Sequence, residues 1–159
     1  MVDKTDLTIV YVSPALTKGM DLIDRGELQR AFYYFQNMTD QEPSNAIAKS
    51  FLGYLTAVFQ KRTYQGLELC LQAIKMEDEE PLLYLNLARV YLLMNDRYHA
   101  VQAIQQGLKY RHSPFRTNLI NFYKMIGIRR KPPITFLHRD NPLNVILGKV
   151  FRKNKRIRS

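Results

Sequence analysis

Small residues recur along this chain at a nearly fixed distance, and that distance restricts the fold more than any other feature. Gly19, Gly53 and Ala88 stand 34 and 35 residues apart, and Ala31, Gly66 and Ala100 stand 35 and 34 apart. Between the two members of each pair lies a turn signal: Gly26-Glu27-Leu28, then Gln60-Lys61-Arg62, then Asn95-Asp96-Arg97. A repeat of this length, with a small residue on each side of a turn, describes a helix, a tight turn and a second helix. The small residues belong where the two helices of a pair cross closely. Bulky residues such as Phe35, Leu87 and Tyr91 fill the space beside the crossings. Neither helix can bury its apolar face alone, so neighbouring pairs must stack.

The apolar spacing agrees with helix. Within Leu82–Met94, Tyr84, Leu87, Ala88, Tyr91 and Leu92 recur at intervals of three and four. Pro81 follows Glu79-Glu80, which puts proline at a first helical position and acids at the positive end of the helix dipole. Pro14 after Ser13 repeats the device. Beyond the third repeat, Ser113-Pro114 reads as another helix start. Phe115, Leu119, Phe122 and Ile126 form its apolar stripe, and Gly127 is its stop.

These segments resemble tetratricopeptide repeats. The third matches best, through Asn86-Leu87-Ala88, Tyr91, Asn95-Asp96-Arg97-Tyr98, Ala100 and Gly107-Leu108. The first matches from Gly19 to Pro43. The second departs by one extra residue, by Thr56 where an aromatic is usual, and by lacking a closing proline. The resemblance implies an all-α superhelical array. Residues 1–11 would precede three repeats at 12–45, 46–80 and 81–112, with a capping helix at 113–127 and a basic extension at 128–159.

Charge divides the chain near the end of the third repeat. Residues 1–108 carry 10 Lys/Arg and 13 Asp/Glu, whereas residues 109–159 carry 14 Lys/Arg and the single acid Asp140. A mildly acidic body with a strongly basic end suggests an acidic partner: nucleic acid, anionic lipid or an acidic protein face. The cations concerned are Arg129, Arg130, Lys131, Lys149, Arg152, Lys153, Lys155, Arg156 and Arg158. Phosphate neutralisation would make nucleic-acid binding salt-dependent. Leu143, Ile146, Leu147, Val150 and Phe151, on one short helix, would suit a membrane surface instead. A solubilising tail without a partner is the plainer alternative. With one cysteine, Cys70, and no signal-peptide or membrane-spanning pattern, a cytoplasmic location is expected.

No arrangement of residues suggests catalysis, a metal or a cofactor. His99, His112 and His138 have no ligand spacing with one another or with Cys70. Cys70 falls at a packed position and reads as core. His138-Arg139-Asp140 spells a kinase catalytic triplet, but Val145 stands where that loop needs asparagine. The acidic run Glu77-Asp78-Glu79-Glu80 lacks the spacing of a calcium loop and reads as a solvated loop and helix start.

The resemblance places function in the concave face, which the first helix of each pair lines. Here those positions are Leu16, Met20 and Asp24, then Ser50, Tyr54 and Val58, then Leu85, Arg89 and Leu93. Such a lining suits an extended peptide or a helix of another protein, with Tyr54 and Arg89 as anchors. The family's chaperone-binding members clamp a terminal carboxylate with lysines, asparagines and arginine. Leu16, Met20, Tyr54 and Leu85 occupy the matching places here, so that ligand is not expected. The chain therefore reads as an adaptor or assembly factor. The alternatives are a secretion-type chaperone, a nucleic-acid- or ribosome-associated protein, peripheral membrane attachment, or a groove filled by the chain's own ends.

Overall fold

The computed structural model describes residues 13–126. Over this span the protein is an all-α repeat array, with seven helices and no strand among the described residues. The helices are α1 (Pro14–Asp24), α2 (Leu28–Gln41), α3 (Ala46–Val58), α4 (Thr63–Met76), α5 (Pro81–Leu93), α6 (Arg97–Gly107) and α7 (Arg116–Ile126). The stretch Leu7–Val12, the stop at Gly127, the triplet at 138–140, the short helix at 143–151 and the whole set of basic residues from Arg129 to Arg158 lie outside the described residues.

Helices pack in sequence order. The pairs α1–α2, α3–α4 and α5–α6 each pack together, and the second helix of one pair packs on the first of the next, as α2 on α3 and α4 on α5. The first helices also meet one another, α3 against α5 and α5 against α7. The period is written into the backbone as well. Each intra-pair turn holds one residue in the left-handed region: Gly26 at φ 75°, Lys61 at φ 61° and Asn95 at φ 59°. Glycine and asparagine enter that region readily; lysine does not. The Lys61 ammonium donates to the Val58 carbonyl at 2.8 Å, which fastens the turn.

Close crossings hold each pair. A Cβ added at Gly66 would sit 2.4 Å from the Gly53 carbonyl oxygen, and one at Gly53 would sit 2.8 Å from that of Gly66. The two glycines thus let α3 and α4 touch backbone to backbone. In the first pair the gap is filled instead: a Cβ at Gly19 would lie 2.4 Å from the Phe35 ring. That ring stacks on Phe51 of α3, centroids 4.6 Å apart, and joins the first pair to the second.

Helix α5 is the middle of the array. Pro81 through Ala88 and Val90 are all buried, as befits a helix apolar on every side. Its start carries Pro81 at the first position, and the Glu80 carboxylate accepts from the Leu82 N–H at 3.0 Å. Glu80 thus has a structural use within the acidic run. Helix α7 begins at Arg116, two residues later than the Ser113-Pro114 signal suggests, because Pro114 and Phe115 form a turn. The Ser113 hydroxyl accepts from the Phe115 N–H in that turn. Leu119 is fully buried against Gly107, so α7 does close the last pair.

Replacing Gly66 by alanine tests the crossing. Alanine is the better helix former by about 1 kcal/mol, but its methyl group would have to displace backbone. Gly66→Ala is expected to destabilise by about 1–3 kcal/mol net in urea unfolding. An unchanged or raised midpoint would show that α3 and α4 are not in backbone contact.

Candidate partner-binding hollow

Three first helices, α3, α5 and α7, enclose an open hollow of about 540 Å³. From α3 comes Tyr54, and from α5 come Leu85, Arg89, Leu92 and Leu93. From α7 come Asn118, Asn121, Phe122 and Met125. The rim is apolar and open to water: Leu93 is 42% exposed and Met125 72%.

The floor is a held cation. The Arg89 guanidinium lies over the Tyr54 ring at 5.1 Å and over the Phe122 ring at 5.7 Å. Each ring face attracts the cation. Arg89 Nη1 donates to Asn86 Oδ1 at 3.1 Å, one turn back on α5. Asn86 in turn donates from Nδ2 to the Ser50 hydroxyl at 3.2 Å, and both Asn86 and Ser50 are fully buried. The Cys70 thiol donates to the Ser50 carbonyl at 3.5 Å. A line of polar contacts therefore runs from the core to the guanidinium. Buried polar groups need such partners, and these also fix where Arg89 points.

Burial works against the charge. The Arg89 guanidinium is pushed below its ordinary value by desolvation, opposed by Tyr54 and by the negative field of Asp24. The charge contacts among the described residues join Asp21 to Arg25, Glu27 to Arg30 and Asp96 to His99; none involves Arg89.

Of the nine groove positions read from sequence, Tyr54, Leu85, Arg89 and Leu93 come together here. Ser50 does not: it is fully buried and supports Asn86 from behind. Leu16 is buried in the core, while Met20 and Val58 are half-buried against it. Asp24 is exposed at the end of α1 and acts on Arg89 only through its field. Ser50 and Tyr54 lie on one face of α3, toward α5, and the hollow opens only at the turn that carries Tyr54 beside Arg89.

The contribution of α7 was hidden behind its capping role. Phe115, Leu119, Phe122 and Ile126 pack on the core as the cap, but Asn118, Asn121 and Met125 form a second stripe beside it that shares Phe122. Asn86 carried its own signal, an amide in the middle of an apolar run. The remaining candidates for chemistry are placed elsewhere. Cys70 is buried and its thiol is pushed up to about 12 by desolvation, which removes the thiolate a nucleophile needs. His99 is exposed, and its Nδ1 lies 2.5 Å from Asp96 Oδ2.

Seating of the α7 wall depends on Glu80 and Arg97. Ser113, just before α7, donates to Glu80 Oε1 at 3.0 Å. Arg97 donates to the Ile126 carbonyl at the far end. No family model matches the sequence, and no curated protein matches it.

The Glu80 contact predicts a pH dependence. Burial raises the Glu80 carboxyl above its ordinary value, although the Leu82 N–H and the Ser113 hydroxyl lower it. The folded state therefore holds this proton more tightly than the unfolded chain. Stability from this group is present below the unfolded value and is lost as pH rises through the folded one. Glutamine can accept both bonds without a charge. Glu80→Gln is expected to be slightly more stable than the wild type at neutral pH, by less than about 1 kcal/mol for a half-exposed group. The difference should vanish in acid. Destabilisation at neutral pH would mean that attraction to the α5 dipole outweighs desolvation.

Proposed function

We propose that this protein is a non-catalytic binding module, an adaptor or assembly factor, that holds a peptide or helix of another protein in the hollow between α3, α5 and α7. The observation that carries this reading is Arg89: a cation held between two aromatic rings, inside an apolar rim, facing an open hollow. Interface anchors have this character. Aromatic residues and arginine supply most of the binding energy where they are partly desolvated before the partner arrives.

A tetratricopeptide-type array suits the same reading. The 34- to 35-residue spacing of small residues, the left-handed turn residue in each pair and the added helix α7 all support it. Arrays of this build present one continuous curved face, well suited to elongated ligands. The buried thiol of Cys70, pushed up by desolvation, favours binding over thiol catalysis. Among the described residues, no helix is long and apolar enough to cross a membrane.

The charge split favours one second reading, in which the basic extension contacts nucleic acid or ribosomal surfaces. The two separate in one affinity capture with the full chain. The double substitution Tyr54→Ala, Arg89→Ala is expected to lower capture of the protein partner by about tenfold or more, with the helical circular dichroism retained. Tyr64→Ala on α4, an exposed tyrosine away from the hollow, should change nothing. If capture instead survives the double substitution but fails after nuclease or after Lys153, Lys155 and Arg156 are changed to alanine, the basic extension is the working surface.

A further inference from the structure

The hollow is built for a particular charge. A guanidinium has five N–H donors, and Arg89 gives one of them to Asn86. The two rings beside it satisfy its faces, not its edge. The charge contacts of the described residues all lie elsewhere. The side-chain amides of Asn118 and Asn121 line the same hollow and are exposed, so each can donate to an oxygen placed there. Apart from the two rings, the rest of the lining among the described residues is apolar: Leu85, Leu92, Leu93 and Met125.

We propose that the hollow receives an aspartate or glutamate side chain of the partner peptide, with Arg89 as its counter-ion and apolar residues on either side of it packing on Leu93 and Met125. The inference rests on the groove reading and names the chemistry that the groove selects. A carboxylate fits better than a phosphate. Among the described residues Arg89 is the one cation of the lining, and a single guanidinium fork matches the two oxygens of a carboxylate. A phosphate group carries nearly two charges and would need further cations. The partly desolvated setting makes the pairing selective. Burial already disfavours the isolated charge, so a peptide that covers Arg89 without supplying an anion would bury it unpaired. That outcome is costly. The same feature rejects lysine- or arginine-bearing segments. Asn86 and Ser50 act as positioning residues, since they hold the guanidinium where the anion must arrive.

The test is selection of a phage-displayed library of random linear peptides on the full-length protein. Selected sequences are expected to share an Asp or Glu flanked by apolar residues. For one such synthetic peptide, changing the acid to its amide should weaken binding by about tenfold or more. Against Arg89→Leu, which keeps apolar bulk between Tyr54 and Phe122, the acid and amide peptides should bind alike. If enriched peptides depend on Tyr54 and Met125 yet are indifferent to the acid-to-amide change, the carboxylate is wrong while the groove stands. If no peptide is enriched, or if enriched peptides bind equally after Tyr54→Ala and Met125→Ala, the groove reading fails and the carboxylate with it.

Discussion

Backbone contact between α3 and α4 at Gly53 and Gly66 sets the geometry on which the rest of the array depends. Two helices that touch through glycine lie closer than side chains allow, and the carbonyl oxygens of both residues occupy the space a Cβ would need. This thin pair lets α5 pack against α3 and α4 together. Helix α5 is then buried along nearly its whole first two turns. Its exposed edge is confined to the end that carries Arg89, Leu92 and Leu93, and that end becomes the floor of the hollow. The other glycines meet side chains instead: Phe35 over Gly19, and Leu119 with Tyr84 around Gly107. A repeat fold can vary its filling from pair to pair so long as each crossing stays close-packed.

Two buried polar residues connect that scaffold to the site. Ser50 and Asn86 lie inside an otherwise apolar core. A serine and an asparagine in such a place would destabilise the fold if unpaired. Here each partners the other, and the chain of contacts ends on a guanidinium that needs orientation. The core thus gives up some apolar burial, and Arg89 gains a fixed position between two rings. A flexible arginine would lose more side-chain entropy on binding than one already held.

The fold was legible in the sequence because it rests on few, repeated positions. The spacing of Gly19, Gly53 and Ala88, and of Ala31, Gly66 and Ala100, describes the pairing that the structure has. That Tyr54 and Arg89 share one face of the array was legible for the same reason. The site was only half legible because its shape depends on how deep each turn of a helix lies, which spacing does not encode. Ser50 and Tyr54 share one face of α3, a turn apart, yet Ser50 lies deep beside Asn86 while Tyr54, further along, meets Arg89 at the opening. Helix α7 shows a second kind of difficulty. A single helix can cap an array with one stripe and line a groove with the next, and the capping stripe, being more apolar, dominates the pattern. Asn118 and Asn121 look like ordinary solvated residues until Phe122 and Met125 are seen to share their face.

Protein partners could meet either surface of such an array: the side built from α3, α5 and α7, or the side where Tyr64 and Tyr98 stand exposed on α4 and α6. Arg89 with its aromatic flanks favours the first. Site-specific photocrosslinking in the intact full-length protein decides directly, with a photoreactive residue at Leu93 in one variant and at Tyr64 in another. Covalent capture of the partner through position 93 and not through position 64 is the result expected of a working hollow. Capture through position 64 with none through position 93 would place the partner on the opposite side and contradict it.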